Sequence, residues 1–249
     1  MNLQLIRNAT CKMTYGGYTI LTDPYFAGKL TRPSFRGISK NPTVDLPMSI
    51  DEILSDVDMV MVSHMHSDHF DDDAQRALKK DIPILCQKED KHDIQALGFG
   101  DVTAVKDVAT WRGITISHVD GRHGTGDVLD DMGIVSGFMF KACGEPSVYW
   151  CGDTILSDEI RTFLAEQKPD IILVHASGAV WGDDVKIVMD ETDVIKVAKL
   201  LPNSKVVAIH MEALDHATVT REALKKFAVQ HGVDDKQLLI PNDGETIVF

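Results

Sequence analysis

The sequence lacks a long apolar run, a closely spaced cysteine pair and any excess of basic residues. Its 249 residues include 38 Asp and Glu against 25 Lys and Arg, which gives a formal net charge of −13. Nucleic acids and anionic membranes are bound by basic surfaces, so this balance argues against either as a partner. A membrane-spanning helix needs about 20 apolar residues, and no segment approaches that length.

Cysteine is scarce, and the four cysteines form no C-x-x-C pair. A disulfide framework or a zinc ribbon is therefore not expected. The first residues are typical of a strand rather than of a signal peptide, so we expect a cytoplasmic protein with reduced thiols. The length suits one domain over residues 1–249, large enough to bury its core without a structural metal. Any bound metal is then expected to be functional.

Short β-rich runs alternate with helical patterns, which predicts an α/β layered fold. The predicted strands are residues 3–7, 18–22, 59–62, 82–85, 114–117, 134–141, 148–151, 171–174, 206–209 and 246–249. The predicted helices are residues 72–80, 88–97, 157–166, 192–201 and 220–231. Residues 23–47 hold four prolines, which disfavour helix and central strand, and their aromatic side chains favour an ordered loop that packs on the domain.

Potential metal ligands come directly after three of the predicted strands. Strand 59–62 leads into a histidine cluster, strand 148–151 into Asp153, and strand 206–209 into His210. Rigid strands deliver side chains to one edge of a sheet, so these residues are expected to converge.

The histidine cluster reads Ser63-His64-Met65-His66-Ser67-Asp68-His69. Imidazole and carboxylate ligands together suit zinc, iron or manganese. If the segment is extended, His64 and His66 lie on one side, whereas Asp68 and His69 fall beyond a turn and can face a second cation. The spacing favours two metal ions, with a single-metal site as the alternative.

This His-x-His-x-Asp-His motif after an apolar strand resembles the motif of the metallo-β-lactamase-fold hydrolases. Further similar segments follow in the family's order, at Gly121-Arg-His-Gly-Thr-Gly, Tyr149-Trp-Cys-Gly-Asp-Thr and Ala208-Ile-His-Met-Glu. Near the N-terminus, Leu21-Thr-Asp-Pro-Tyr-Phe looks like the subgroup of ascorbate 6-phosphate lactonase-like proteins.

The resemblance implies a four-layer αββα sandwich with a two-metal site at one edge of the paired sheets. The implied ligands are His64, His66 and His123 for one ion, Asp68, His69 and His210 for the other, and Asp153 as a bridge. Two divalent ions are expected, Zn²⁺ first and Mn²⁺ or Fe as alternatives. A hydroxide bridged between them would attack the substrate, and Asp68 could orient it or move a proton.

Two more residues are candidates for a direct part in catalysis. Asp23 follows a strand and precedes Pro24, where it could hydrogen-bond a ligand histidine or simply form a turn. His216 could contact the substrate, and it is also the rival of His210 as a ligand.

His118 is the competing third ligand in place of His123. His175 ends a strand, and both a site near the metals and a structural role stay open for it.

The pocket is harder to predict than the ligands. Trp181, Tyr25, Phe26 and Phe35 could form its walls or belong to the core. Arg32 and Arg36 could bind a substrate phosphate or carboxylate, with a solvated surface position as the alternative.

The expected activity is hydrolysis of a small cytosolic molecule. By resemblance, a lactone or another cyclic ester is the leading substrate class, and a phosphodiester comes second because paired metals also support phosphoryl displacement. The alternatives are a di-iron or mono-iron redox enzyme on the same scaffold, or a catalytically inactive metal-binding protein. A homo-oligomer stays open.

Overall fold

Two seven-stranded sheets form the centre of the computed structural model, which describes all residues from 1 to 249. In chain order, the first sheet contains β1 (Asn2–Arg7), β2 (Thr10–Tyr15), β3 (Tyr18–Thr22), β4 (Met59–Val62), β5 (Ile84–Gln87), β6 (Val102–Val105) and β16 (Thr246–Val248). The second contains β7 (Val108–Trp111), β8 (Ile114–Asp120), β9 (Ser136–Lys141), β10 (Val148–Trp150), β11 (Ile171–His175), β14 (Lys205–Ile209) and β15 (Leu238–Leu239). A hairpin of β12 (Val180–Trp181) and β13 (Val185–Lys186) stands apart.

Each sheet is antiparallel in one half and parallel in the other. The first has the order β16-β1-β2-β3-β4-β5-β6 and is parallel from β3 to β6. The second has the order β15-β14-β11-β10-β9-β8-β7 and is parallel from β10 to β15. All four residues of β4 are buried, as in a parallel strand covered on both faces.

Seven helices cover the sheets, and none of them is long and apolar enough to span a lipid bilayer. They are α1 (Ile50–Leu54), α2 (Asp72–Ala77), α3 (Lys91–Ala96), α4 (Val128–Met132), α5 (Asp158–Gln167), α6 (Glu191–Leu200) and α7 (Arg221–Gln230). Helices α5 and α7 begin where Ser157 and Thr220 accept hydrogen bonds from backbone N–H groups of the first turn.

Three apolar clusters define the layers. One lies between the two sheets and contains residues of both, such as Leu3 and Trp150. A second packs the first sheet against helices α1 to α3, and a third packs the second sheet against α5 to α7. The order helix, sheet, sheet, helix confirms the predicted four-layer αββα sandwich. The single domain over residues 1–249 stays a prediction.

All ten predicted strands and all five predicted helices are present, with ends shifted by up to three residues. Residues 23–47 form no helix and only one isolated bridge, between Arg32 and Asn41, as the prolines predict. The prediction missed helices α1 and α4 and strands β2, β6, β7, β12, β13 and β15.

Candidate metal centre

The seven predicted metal ligands meet at one edge of the paired sheets. The potential ligand atoms of His64, His66 and His123 lie within 4.8 Å of one another, and so do those of a second group, Asp68, His69 and His210. Asp153 lies within the same distance of the ligand atoms of His64 and His69. These groups match the two ligand sets that the resemblance implies.

Two of the histidines are oriented by acceptors on their far side. The Nδ1 atom of His69 lies 2.6 Å from the Asp23 carboxylate, and that of His123 lies 2.8 Å from the carbonyl oxygen of Ile187. Carboxylates and carbonyls only accept, so each Nδ1 carries a proton and donates it. The Nε2 atoms therefore face the centre. Burial lowers the pKa of His123 to about 4, which keeps its Nε2 unprotonated at neutral pH.

His64 is fixed in the same orientation by a relay. The Ser63 hydroxyl donates to Asp23 at 2.7 Å, so it accepts from the His64 Nδ1–H at 2.9 Å. The Nε2 atom of His64 is then an acceptor, and it is buried without a hydrogen-bond partner. Burial also lowers the pKa of His64 well below its ordinary value. A buried, neutral imidazole lone pair without a donor fits a metal ion, which binds that form of the ring.

Two buried carboxylates supply negative charge to the cluster. Burial alone would raise the pKa of Asp68 and of Asp153, but His69 and His210 outweigh it and lower both pKa values well below the ordinary range. The Nε2 atoms of His69 and His210 lie only 3.3 Å apart. Closely spaced nitrogens between two carboxylates are the donor set of a divalent cation, and the residues present fit such an ion.

The backbone at the site is strained where it turns into the centre. Asp23 and His210 are not glycines, yet both have positive φ, of 38° and 61°. Gly152, between β10 and Asp153, has φ of 64°, and a Cβ there would lie 2.2 Å from the carbonyl oxygen of Ser136. Only glycine fits this turn, which directs Asp153 into the cluster.

Asn8 supports the centre, although no pattern in the sequence predicts this role. Its side-chain NH₂ group donates to the Asp68 backbone carbonyl at 3.0 Å and to the Asp68 carboxylate at 3.3 Å, and its backbone carbonyl accepts from the His210 N–H at 2.8 Å. Asn8 lies in the tight turn between β1 and β2 with φ of 58°, a conformation that asparagine favours. The sequence signal is that of an ordinary hairpin turn.

His175 orients Asp153, which resolves the choice that the sequence left open. The Trp150 indole N–H donates to His175 Nε2 at 3.1 Å. His175 must then carry its proton on Nδ1, which donates to Asp153 Oδ1 at 2.5 Å. Although His175 lies within 4.8 Å of the ligand atoms of Asp153 and His210, both of its nitrogens are used, and neither is free for a metal.

The other sequence candidates take different places. Asp23 is fully buried behind His69 and Ser63, so it positions these residues and does not reach the cavity. His118 bonds to the Ser136 hydroxyl and belongs to none of the candidate ligand groups. His216 is also outside those groups. Of the rival ligands His210 and His216, only His210 therefore belongs to a candidate ligand set.

A cavity of about 170 Å³ opens on the cluster. Its walls include His216 and four apolar side chains, Phe35, Met132, Trp181 and Ile187. Of the predicted aromatic walls, Tyr25 and Phe26 are instead buried in apolar clusters. The remaining lining residues are His66, Ser67, Asp68, His123, Asp131 and Asp153, so the cavity contains no lysine or arginine.

The two candidate anion-binding arginines are engaged elsewhere. Arg32 pairs with Asp71 and Asp73, and Arg36 pairs with the exposed Asp184. Neither lines the cavity.

Comparison with known proteins agrees with this geometry. The model of the beta-lactamase superfamily domain matches residues 2–210. The UPF0173 protein YddR of Bacillus subtilis is 38% identical over the full length of both chains. A UPF0173 metal-dependent hydrolase of Methanosphaera stadtmanae is 25% identical, covering 78% of this chain and 76% of its own.

Two solved structures are similar over all of this chain and 99% of theirs. An isothiocyanate hydrolase from Delia radicum gut bacteria is 36% identical with a TM-score of 0.93. A possible metal-dependent hydrolase from Veillonella parvula is 34% identical with a TM-score of 0.95. The predicted enzyme class is confirmed, whereas the lactonase-like subgroup stays a prediction. By fold, by sequence and by the cluster of potential metal ligands, the chain belongs to the beta-lactamase superfamily and, within it, to the UPF0173 metal-dependent hydrolases.

Proposed function

We propose that this enzyme hydrolyses a small, uncharged molecule with an electrophilic carbon and an apolar substituent. The observation that carries the proposal is the cavity of about 170 Å³, in which potential metal ligands and apolar walls adjoin and no cationic side chain is present. Asp68 and Asp153 would be engaged as metal ligands, so an anionic group placed away from the ions would meet Asp131 with no lysine or arginine to offset it.

The proposed centre holds two divalent ions. His64, His66 and His123 would hold one, Asp68, His69 and His210 the other, and Asp153 would bridge them, which is the assignment supported by the ligand-atom distances. Nitrogen and oxygen ligands without thiolate suit Zn²⁺, with Mn²⁺ or Fe as alternatives. When bound, such ions supply an activated water and polarise the bond under attack.

The chain's own residues would orient the reactants. The Asp68 carboxylate reaches the cavity and is held by Asn8, so it can accept a hydrogen bond from water or take its proton. His216 also lines the cavity, and its buried Nδ1 has no hydrogen-bond partner. We assign to His216 a hydrogen bond to the substrate or to the departing group, where a neutral imidazole can donate or accept.

The proposed substrates follow from the charge and size of the cavity. An isothiocyanate, the substrate named for the relative from Delia radicum gut bacteria, is uncharged, and its central carbon is electrophilic. Addition of one water to that carbon gives a thiocarbamic acid, which breaks down to an amine and carbonyl sulfide. A neutral lactone is the second candidate. A phosphodiester ranks third, because the proposed ions would be the only cations for its anionic oxygens and no lysine or arginine lines the cavity to assist them.

A substrate panel tests the proposal. Purified enzyme is loaded with Zn²⁺, Mn²⁺ or Fe²⁺ and given allyl and 2-phenylethyl isothiocyanates, neutral lactones, and bis(p-nitrophenyl) phosphate. We expect amine release from an isothiocyanate, or ring opening of a lactone, well above turnover of the phosphodiester. His66→Ala and Asp68→Ala should abolish the activity, whereas the matched control His118→Ala should retain it because His118 lies outside the candidate ligand groups. Preferential phosphodiester cleavage would contradict the substrate proposal.

A further inference from the structure

The carboxylate of Asp215 accepts hydrogen bonds from donors along a whole loop. The loop comprises residues 34–41 and is called here the Phe35 loop. Asp215 Oδ2 accepts hydrogen bonds from the hydroxyl of Ser34 and from the backbone N–H groups of Arg36, Ile38 and Ser39. Asp215 Oδ1 accepts from the Phe35 N–H at 2.9 Å and from the Asn41 side-chain amide at 3.0 Å.

Asp215 is the main attachment of this loop. Its own N–H donates back to the Asn41 side-chain oxygen at 2.9 Å, so the two residues are joined in both directions. Burial alone would raise the pKa of Asp215, but the donors from Ser34, Phe35 and Asn41 lower that pKa below its ordinary value. The loop has no regular secondary structure, so a charged acceptor replaces the hydrogen bonds that a helix or strand would supply.

The loop places one aromatic ring in the cavity wall. The Phe35 ring centroid lies 5.0 Å from that of His216 and 6.4 Å from that of Trp181, both in edge-to-face geometry. Because Asp215 precedes His216 in the chain, the carboxylate that holds the loop is next to the residue whose ring the Phe35 side chain packs against.

We propose that Asp215 is a positioning residue for substrate size: it fixes the Phe35 loop so that Phe35 closes the cavity against His216 and Trp181. The effect on substrates rests on the proposed function, whereas the attachment of the loop does not.

The first test needs no substrate. In Asp215→Asn, either orientation of the amide turns an NH₂ group toward at least two donors of the loop. We expect trypsin to cleave after Arg36 and Lys40 about tenfold faster than in the parent, because the loop then opens more often. Mass spectrometry identifies the cleavage sites. The matched control Asp184→Asn removes only the exposed ion pair with Arg36 and should leave the rate unchanged.

The second test measures selectivity. With allyl and 2-phenylethyl isothiocyanates, or a small and a large lactone, Asp215→Asn should narrow the difference in KM between the two substrates. Its kcat for the smaller one should stay within about twofold of the parent value, since the candidate ligands are untouched. Phe35→Ala should narrow the same difference, and the double variant should add nothing to it, because Asp215 acts through Phe35.

The outcomes separate the two proposals. Equal trypsin rates in the parent and Asp215→Asn, or additive selectivity effects in the double variant, would overturn the role of Asp215. A parent enzyme that turns over none of the isothiocyanates and lactones would instead refute the proposed function, and the trypsin comparison would still decide whether Asp215 holds the loop.

Discussion

The hydrogen bond from Trp150 to His175 gives the sharpest test of how the centre is oriented. The indole N–H only donates, so it forces the His175 proton onto Nδ1 and toward Asp153. Trp150→Phe removes this donor and keeps an aromatic ring in place. The His175 Nε2 atom is then buried without a partner, and its ring can adopt the other tautomer, which offers Asp153 a lone pair instead of a proton.

Trp150→Phe is expected to weaken zinc binding and also to lower the unfolding free energy of the metal-free protein. Partners that orient a ligand typically change metal affinity 10–100-fold, so zinc should bind more weakly by about 1.4–2.7 kcal/mol. Leaving a buried acceptor unsatisfied costs about 1–3 kcal/mol. Since Trp150 is fully buried between the sheets, the smaller ring adds a cavity cost. The metal-free variant should therefore lose roughly 3 kcal/mol of unfolding free energy.

Competition with a chromophoric chelator at pH 7.5 measures the zinc affinity, and urea titration of the metal-free protein measures the unfolding free energy. Trp111→Phe is the matched control, because Trp111 is only partly buried and packs on Tyr18 away from the centre. It should bind zinc as the parent does. If Trp150→Phe loses stability but keeps the parent's zinc affinity, Trp150 merely fills space, and the orienting role of His175 is refuted.

Three further outcomes are expected. Chelation should lower the melting temperature and added Zn²⁺ restore it, since a ligand at 1,000 times its Kd stabilises a protein by about 4 kcal/mol. Gly152→Ala should bind zinc weakly and unfold in less urea, because its Cβ meets the Ser136 carbonyl oxygen at 2.2 Å. Burial raises the pKa of Asp90 from 3.8 to about 6, because it disfavours the charged carboxylate in the folded state, so the unfolding free energy falls as the pH rises through that range. Asp90→Asn should therefore have a larger unfolding free energy than the parent in urea titrations at pH 7.5, and this difference should shrink toward pH 4.

The elements that the sequence predicts best are those buried on both faces. Strand β4 is such an element, a continuous apolar run. Helix α7 buries only one face, and its start is predictable because Thr220 caps its first turn. Strand β2 was missed although Cys11, Met13 and Tyr15 alternate with polar residues and are buried. That period of two was a usable signal over six residues. Strands β12, β13 and β15 have only two residues each, too few to carry any period.

The candidate ligands could be predicted because their residue types are rare together and follow strand ends. The residues that orient them could not, because their roles depend on which strands are neighbours. Trp150 pairs with Leu173 in the parallel register of β10 and β11, which places its indole beside the last residue of β11, His175. Asn8 reaches Asp68 across 60 positions of sequence. Neither contact is marked by a pattern in the neighbouring sequence.

The arrangement of the two sheets explains why metal binding and folding should be linked. The first sheet delivers His64, His66, Asp68 and His69 from the end of β4, while the second delivers His123, Asp153 and His210 from the ends of β8, β10 and β14. Each candidate ion would therefore take ligands from both sheets, and neither sheet alone offers a complete set. An ion held there would join the two sheets at their open edge, where the apolar cluster between them ends and buried carboxylates begin. Metal binding and the packing of the two sheets at this edge should then form one coupled equilibrium, since separating the sheets divides both candidate ligand sets.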